Sequence, residues 1–169
     1  MMTGGRVHPS STTWEVRSPM ISPSAAGRPD FDDSRERRFD AIGGQQCLDL
    51  LESHNVGRIA WQAADLPQIL PITYAMHQGS VYFRTLPDGL LAELAQPTSV
   101  ALEVDELDQQ TRSGWSIVLH GHTSAVREPD ELADLWASDS PVPWVSGMRT
   151  LFIRIRPDTV AGRIVRRPS

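Results

Sequence analysis

The stretch "SVYFRT", residues 80–85, ends an apolar run on an arginine and a hydroxyl, Arg84 and Thr85, and "LPDG" follows at once. Read as a strand, it puts Val81, Phe83 and Thr85 on one face and Tyr82 and Arg84 on the other. A guanidinium fork at a strand end, just before the free amides of a helix start, makes a phosphate cradle. Asp88 counts against that cradle, because an N-cap aspartate fills those amides itself and repels an anion. A solvated strand-end arginine is the ordinary alternative. In "QILPITYAM", Pro71 cannot donate to a ladder, so it marks an edge or a bulge with open backbone. Open amides and carbonyls there suit the polar rim of a flat heterocycle, and Thr73 adds a hydroxyl; a plain edge strand is the alternative. In "RSGWSIVLHGH", Gly114 allows a sharp turn and Trp115 heads a strand. That indole suits a ring ligand, a subunit interface or the plugging of a barrel end. His120 and His122 share a strand face, but a metal needs a further ligand and none is evident.

Several chemistries have no support. The chain has no lysine, all 16 basic residues being arginine. Schiff-base and P-loop chemistry both require that amine. Neither G-x-S-x-G nor G-x-G-x-x-G occurs, so neither a nucleophile elbow nor a Rossmann phosphate loop is indicated. Glu103, Asp105, Glu106 and Asp108 read as a solvated charge run. Cys47, the one cysteine, falls on the apolar side of a helix and reads as an inert core residue with no disulfide partner. A net charge of −5 with a pI near 5.5 argues against general nucleic-acid binding. No apolar run approaches the ~18 residues needed to cross a bilayer, so a soluble cytoplasmic protein is the expectation.

The elements that must position these residues follow from pattern. Residues 1–40 are rich in Pro, Gly, Ser and Thr, lack apolar periodicity, and read as a disordered tail ahead of a folded domain over 41–169. "QQCLDLLES" gives a short amphipathic helix ending before Gly57. Strand-like stretches follow: "GRIAWQA", "QILPITYAM", "SVYFRT", "TSVALEVDE", "GWSIVLHGHTSAV", "RTLFIRIRP" and "VAGRIVR". "HQG" has hairpin length, and "PDGLLAELAQ" and "EPDELADLWAS" read as short helices opening with Pro-Asp. The sum is a small antiparallel barrel with helical plugs.

The order of V-G-R, P-x-x-Y, F-R-T, V-D and S-G-W-S over about residues 42–165 resembles the pyridoxamine 5′-phosphate oxidase-like, FMN-binding split-barrel family. It is most similar to small bacterial members that include nitroimidazole-resistance-type reductases and deazaflavin-binding proteins. The resemblance implies a mainly β fold, a six-stranded antiparallel split β-barrel with short flanking helices. It also implies a homodimer with FMN, or alternatively a deazaflavin, in the cleft between subunits. On this resemblance Pro71, Ile72 and Thr73 run along the isoalloxazine. Phe83, Arg84 and Thr85 form the F-R-T segment, with Arg84 and Thr85 toward the phosphate. Trp115 and Ser116 come in from the neighbouring subunit. The flavin would carry the redox chemistry on a small-molecule substrate, so no side chain is nominated as catalytic. One position departs from the family pattern: Leu90 stands where F-R-T-x-x-G-x-K-L has its lysine, and Asp88 adds a negative charge nearby. The departure keeps a second function in play, a non-catalytic binding or dimeric interaction protein that has lost tight flavin binding. A haem barrel would need an axial histidine, and none of His54, His77, His120 or His122 stands out.

Overall fold

Alternation of apolar and polar residues builds the sheet. In "VGRIAWQA", Gly57, Ile59 and Trp61 are buried while Arg58 and Gln62 are exposed, the period of a strand with one face inward. A computed structural model describes residues 39–64, 66–138 and 147–166. Its elements are β1 (Phe39–Ile42), α1 (Gly44–Ser53), β2 (Val56–Ala63), β3 (Leu66–His77), β4 (Ser80–Thr85), a 3-10 turn (Leu90–Ala95), β5 (Ser99–Asp108), β6 (Ser113–Ala125), α2 (Pro129–Ala137) and β7 (Leu151–Val165). All pairings are antiparallel, in the order β1-β7-β4-β3-β2-β5-β6, and β6 also pairs with β7. β2 to β7 therefore close a six-stranded ring, and β1 is a seventh strand outside it. The fold is the expected split barrel.

Three local expectations need correction. The stretches "RTLFIRIRP" and "VAGRIVR" are one strand, β7, because a shift of register between His120 and Gly121 of β6 bends the ladder instead of ending it. The N-terminal part of β7 pairs with β4, and residues 162–165 pair with β1. β1 starts at Phe39, so the last two positions assigned to the tail belong to the sheet; residues 1–38 lie outside the described residues. "PDGLLAELAQ" forms a 3-10 turn, not an α-helix, and its N-cap is Gly89 with no side-chain cap bond. Pro97 biases Gln96 toward extended backbone, leaving too few residues for an α-helix. Asp88 thus lies one position upstream of the cap and does not fill the turn's amides.

The "HQG" hairpin forms as expected. Gln78 and Gly79 both have positive φ (47° and 74°) between the paired His77 and Ser80, a type I′ turn matched to strand twist. The interior is filled by Ile59, Tyr74, Phe83, Leu102, Leu119 and Ile155 with Cys47 and Leu51 of α1 and Leu94 of the 3-10 turn. Each such side chain contributes about 1.5–3 kcal/mol by leaving water. A separate cluster lies outside the ring, where Leu135 of α2 packs on Tyr82, Val126 and Phe152. No helix among the described residues is long and apolar enough to cross a membrane.

Candidate functional site

β3 changes partner along its length. Leu66 to Thr73 pair with β2, whereas Tyr74 to His77 pair with β4. The side of Leu66–Thr73 that faces away from β2 has no sheet partner among the described residues, so alternate amides and carbonyls point outward unpaired. Pro71 is exposed on this edge, opposite Arg58, and Thr73 is half-buried opposite Val56. Ile72 is buried and lies opposite Gly57, where a Cβ would come within 2.8 Å of the Glu103 carbonyl. Glycine in V-G-R is thus required by the closeness of β5. A row of open backbone groups behind a rigid, buried strand can bind the polar rim of a flat ring.

The F-R-T segment is arranged differently from a cradle. Phe83 is 1% exposed in the interior core and Thr85 is also buried on that inward face. Arg84 faces outward: its Nε donates to the Arg149 carbonyl at 2.9 Å, and its guanidinium lies 4.0 Å from the Trp136 ring centroid of α2. Burial lowers the Arg84 pKa from its usual value. Strand alternation therefore directs Arg84 and Thr85 to opposite faces, and α2 holds the guanidinium. Leu90, at the start of the 3-10 turn, is 54% exposed. That turn is anchored by the Trp61 indole N–H donating to Glu93.

Trp115 and Ser116 also diverge. Trp115 packs against the interior core, with its ring 4.8 Å from His54 in an edge-on arrangement. His54 Nδ1 lies 2.8 Å from the Leu50 carbonyl, so this nitrogen carries a proton and donates it. Ser116 points outward, its Oγ accepting from Arg163 Nε at 3.2 Å. Thr73 and Ser116 lie on the outer face of strands β3 and β6, with β2 and β5 between them. Three strand spacings separate them by about 14 Å, so the chain does not bring them together. His122 has both ring nitrogens engaged, Nδ1 2.7 Å from Asp158 and Nε2 3.1 Å from Ser99.

Two ionic clusters escaped the sequence reading. On the outer face, Arg58 Nη1 donates to Asp105 at 2.6 Å and to Glu103 at 2.9 Å. These two carboxylates, first Asp105 and then Glu103, raise the Arg58 pKa further. The E-V-D spacing was the available signal, since period two puts both carboxylates on one face. Under α2, Glu131 accepts from Tyr82 Oη at 2.8 Å and from Arg154 Nη1 at 3.1 Å. Burial, and then the Glu131 hydrogen bond, raises the Tyr82 phenol pKa. No local pattern links residues so far apart in sequence. These groups line a surface hollow of about 550 Å³ with His77, Ser80 and Asp134. A second hollow of similar volume lies among Phe39, Leu107 and Arg112. Neither contains any of the nine candidate residues.

Comparison with known proteins agrees with this architecture. The family model described as pyridoxamine 5′-phosphate oxidase matches residues 44–164. The uncharacterized protein Rv0080 of Mycobacterium tuberculosis is 31% identical over 135 residues, covering 76% of this chain and 88% of the relative. A Corynebacterium glutamicum crystal structure, provisionally assigned as a pyridoxamine 5′-phosphate oxidase, superposes with a TM-score of 0.67 at 25% identity, covering 79% of this chain and 98% of the other. An FAD-binding protein from Mycobacterium smegmatis gives a TM-score of 0.63 at 27% identity, covering 75% and 98%. With the ring closure, the match over 44–164 and the V-G-R and F-R-T strands in their places, the chain belongs to the pyridoxamine 5′-phosphate oxidase-like split-barrel family.

Proposed function

We propose that the protein is a flavin-dependent oxidoreductase whose isoalloxazine lies along the open edge of β3, with a second copy of the chain completing the site. The observation that carries this reading is the unpaired backbone of Leu66–Thr73, with Pro71 and Thr73 on it. The 27% identical M. smegmatis protein, which binds FAD, supports a flavin as the cofactor class. When bound, the flavin supplies hydride or electron transfer to a small molecule. The chain's own residues bind and orient it. Backbone groups of β3 hold the ring's polar rim, Thr73 offers a hydroxyl, and the buried Ile72 and Tyr74 keep the strand rigid.

The ring end of a flavin fits these residues better than the phosphate end does. Arg84 is occupied by Trp136 and Arg149, and Leu90 offers no charge. We therefore expect affinity to come mainly from ring contacts, so that FMN, FAD and a deazaflavin differ by less than in a barrel with a phosphate lysine. Leu90→Lys restores the missing cation. It should tighten FMN about tenfold, well below the ~4 kcal/mol that two charges 4 Å apart gain at a protein surface, because the site is wet. The deciding experiment is an absorbance spectrum of the purified protein, followed by fluorescence titration with FMN, FAD and a deazaflavin. Micromolar quenching by any of the three supports the oxidoreductase reading. Absence of binding by all three, in both the wild type and Leu90→Lys, rejects it. Leu90 and the engagement of Arg84 would then favour the second reading, a non-catalytic split barrel acting through ligand or subunit contacts.

A further inference from the structure

β6 and β7 depart from regular pairing at one place. His120 pairs with Thr159 and Gly121 with Pro157, so Asp158 is the extra residue of a β-bulge. The bulge is tightly held: Pro157 is buried with its φ fixed by its ring, and a Cβ on Gly121 would run into the Arg156 carbonyl. On β5, the Thr98 carbonyl accepts from the Thr123 amide, which fixes Ser99 opposite His122. Ser99, His122 and Asp158 are all exposed on the outer face. Asp158 Oδ2 lies 2.7 Å from His122 Nδ1, and an ionised carboxylate only accepts, so Nδ1 carries the proton. In the neutral ring Nε2 is then an acceptor, and it lies 3.1 Å from Ser99 Oγ. A hydroxyl, an imidazole and a carboxylate thus stand in the order of an acyl-transfer triad, assembled from three strands and not from a nucleophile elbow. Arg156, paired with His122 on β7, is exposed and has no hydrogen-bond or ion-pair partner among the described residues.

We propose that Ser99 is a nucleophile toward activated carboxylic esters, with His122 as its general base and Asp158 positioning the imidazole. Ser99 Oγ attacks the ester carbonyl carbon while its proton passes to His122 Nε2. The bond from that carbon to the leaving oxygen then breaks, and the proton on Nε2 passes to the departing oxygen. Water repeats the sequence on the acyl-serine, releasing the carboxylic acid and restoring the hydroxyl. Arg156, in the same row, supplies positive charge for the negative charge that develops on the carbonyl oxygen. Ser99, His122 and Asp158 line neither surface hollow, so neither hollow holds a long acyl chain against them. The site therefore takes a short acyl group with a good leaving group, as in an aryl acetate. This activity is separate from the flavin reading and does not rest on it.

The test uses the full chain with no flavin added and p-nitrophenyl acetate as the probe. The wild type should release one p-nitrophenolate per chain in a burst, followed by slower turnover. Peptide mass spectrometry should then find an acetyl group on Ser99; the chain has no lysine, so lysine acetylation does not obscure the result. Ser99→Ala should remove both the burst and that modification. His122→Gln should slow the burst about 100-fold, the low end of what a general base contributes. Asp158→Asn should slow it about tenfold, less than in a buried triad because solvent also orients an exposed ring. Asp158→Glu keeps a carboxylate on the bulge and should recover most of that loss. His120→Gln, on the same face but outside the triad, should leave the burst unchanged. These positions are all exposed, so the variants keep the fold. Release unaffected by Ser99→Ala would mean simple hydrolysis by surface imidazoles and would overturn the proposal. An unacetylated Ser99, a burst indifferent to His122→Gln, or equal losses in Asp158→Asn and Asp158→Glu would overturn it likewise.

Discussion

The two flanks of one barrel treat their charges in opposite ways. On the β4–β7 flank, α2 covers the sheet, and Glu131 accepts from Tyr82 and Arg154 in partial burial, leaving Arg154 Nε without a partner, while Arg84 lies on Trp136. On the β2–β5 flank no helix among the described residues covers the sheet, and Arg58 is half exposed beside Glu103 and Asp105. The lesson is that a charge gains or loses stability according to what covers it. The covered flank makes its network indispensable to the fold, because each deleted partner strands another polar group. On the open flank the ion pairs face solvent and contribute little to the fold.

Substitutions can break or sharpen this contrast, beginning with the largest effect. Phe152→Ala empties the cluster beneath α2 and should cost about 4 kcal/mol in chemical denaturation, the usual loss for a buried phenyl ring. A loss below about 1 kcal/mol would mean that α2 is only loosely attached. Glu131→Ala leaves Tyr82 Oη and Arg154 without their shared acceptor. It should cost about 2 kcal/mol, reduced from the fully buried case because both charged partners retain some exposure. Combining it with Tyr82→Phe should cost less than the sum of the two, because they share one hydrogen bond. On the open flank, Arg58→Ala should cost no more than about 1 kcal/mol in chemical denaturation. Equal losses for Arg58→Ala and Glu131→Ala would erase the distinction between the flanks.

The smallest effect is pH-dependent and lies at the β5–β6 turn. The Thr111 hydroxyl, and then the backbone N–H groups of Thr111 and Gln110, hold the Asp108 carboxyl below the usual carboxylate range. A folded pKa below the unfolded one means that this stabilisation is full above about pH 4, where unfolded carboxylates titrate. It fades as pH falls through the folded value. Melting temperatures of wild type and Asp108→Asn should therefore differ slightly at neutral pH and converge in acid. A gap that widens in acid would contradict the assignment.

Much of the architecture was legible in the chain itself. Period-two alternation in "VGRIAW" and "SVYFRT" determined which residues face inward, and "HQG" determined a tight hairpin. Pro71 marked an open edge, which β3 has. Local pattern could not show that β7 continues through a bulge, because two short strands and one bent strand have the same alternation. Nor could it reveal that the turn after Gly89 is 3-10, which depends on Gln96 and Pro97 as much as on the leucines.

For the site, the chain determined residue types and strand parity: that Arg84 and Thr85 point to opposite faces, that Thr73 and Ser116 carry hydroxyls, that Leu90 brings no cation. Only the tertiary structure decided what each side chain meets. Arg84 meets Trp136 of α2, 52 positions later, and Trp115 meets His54 from a helix end 61 positions earlier. Such contacts depend on how strands close into a ring and where a helix settles on it. Those are properties of summed packing over the whole barrel, and no local window of sequence contains them.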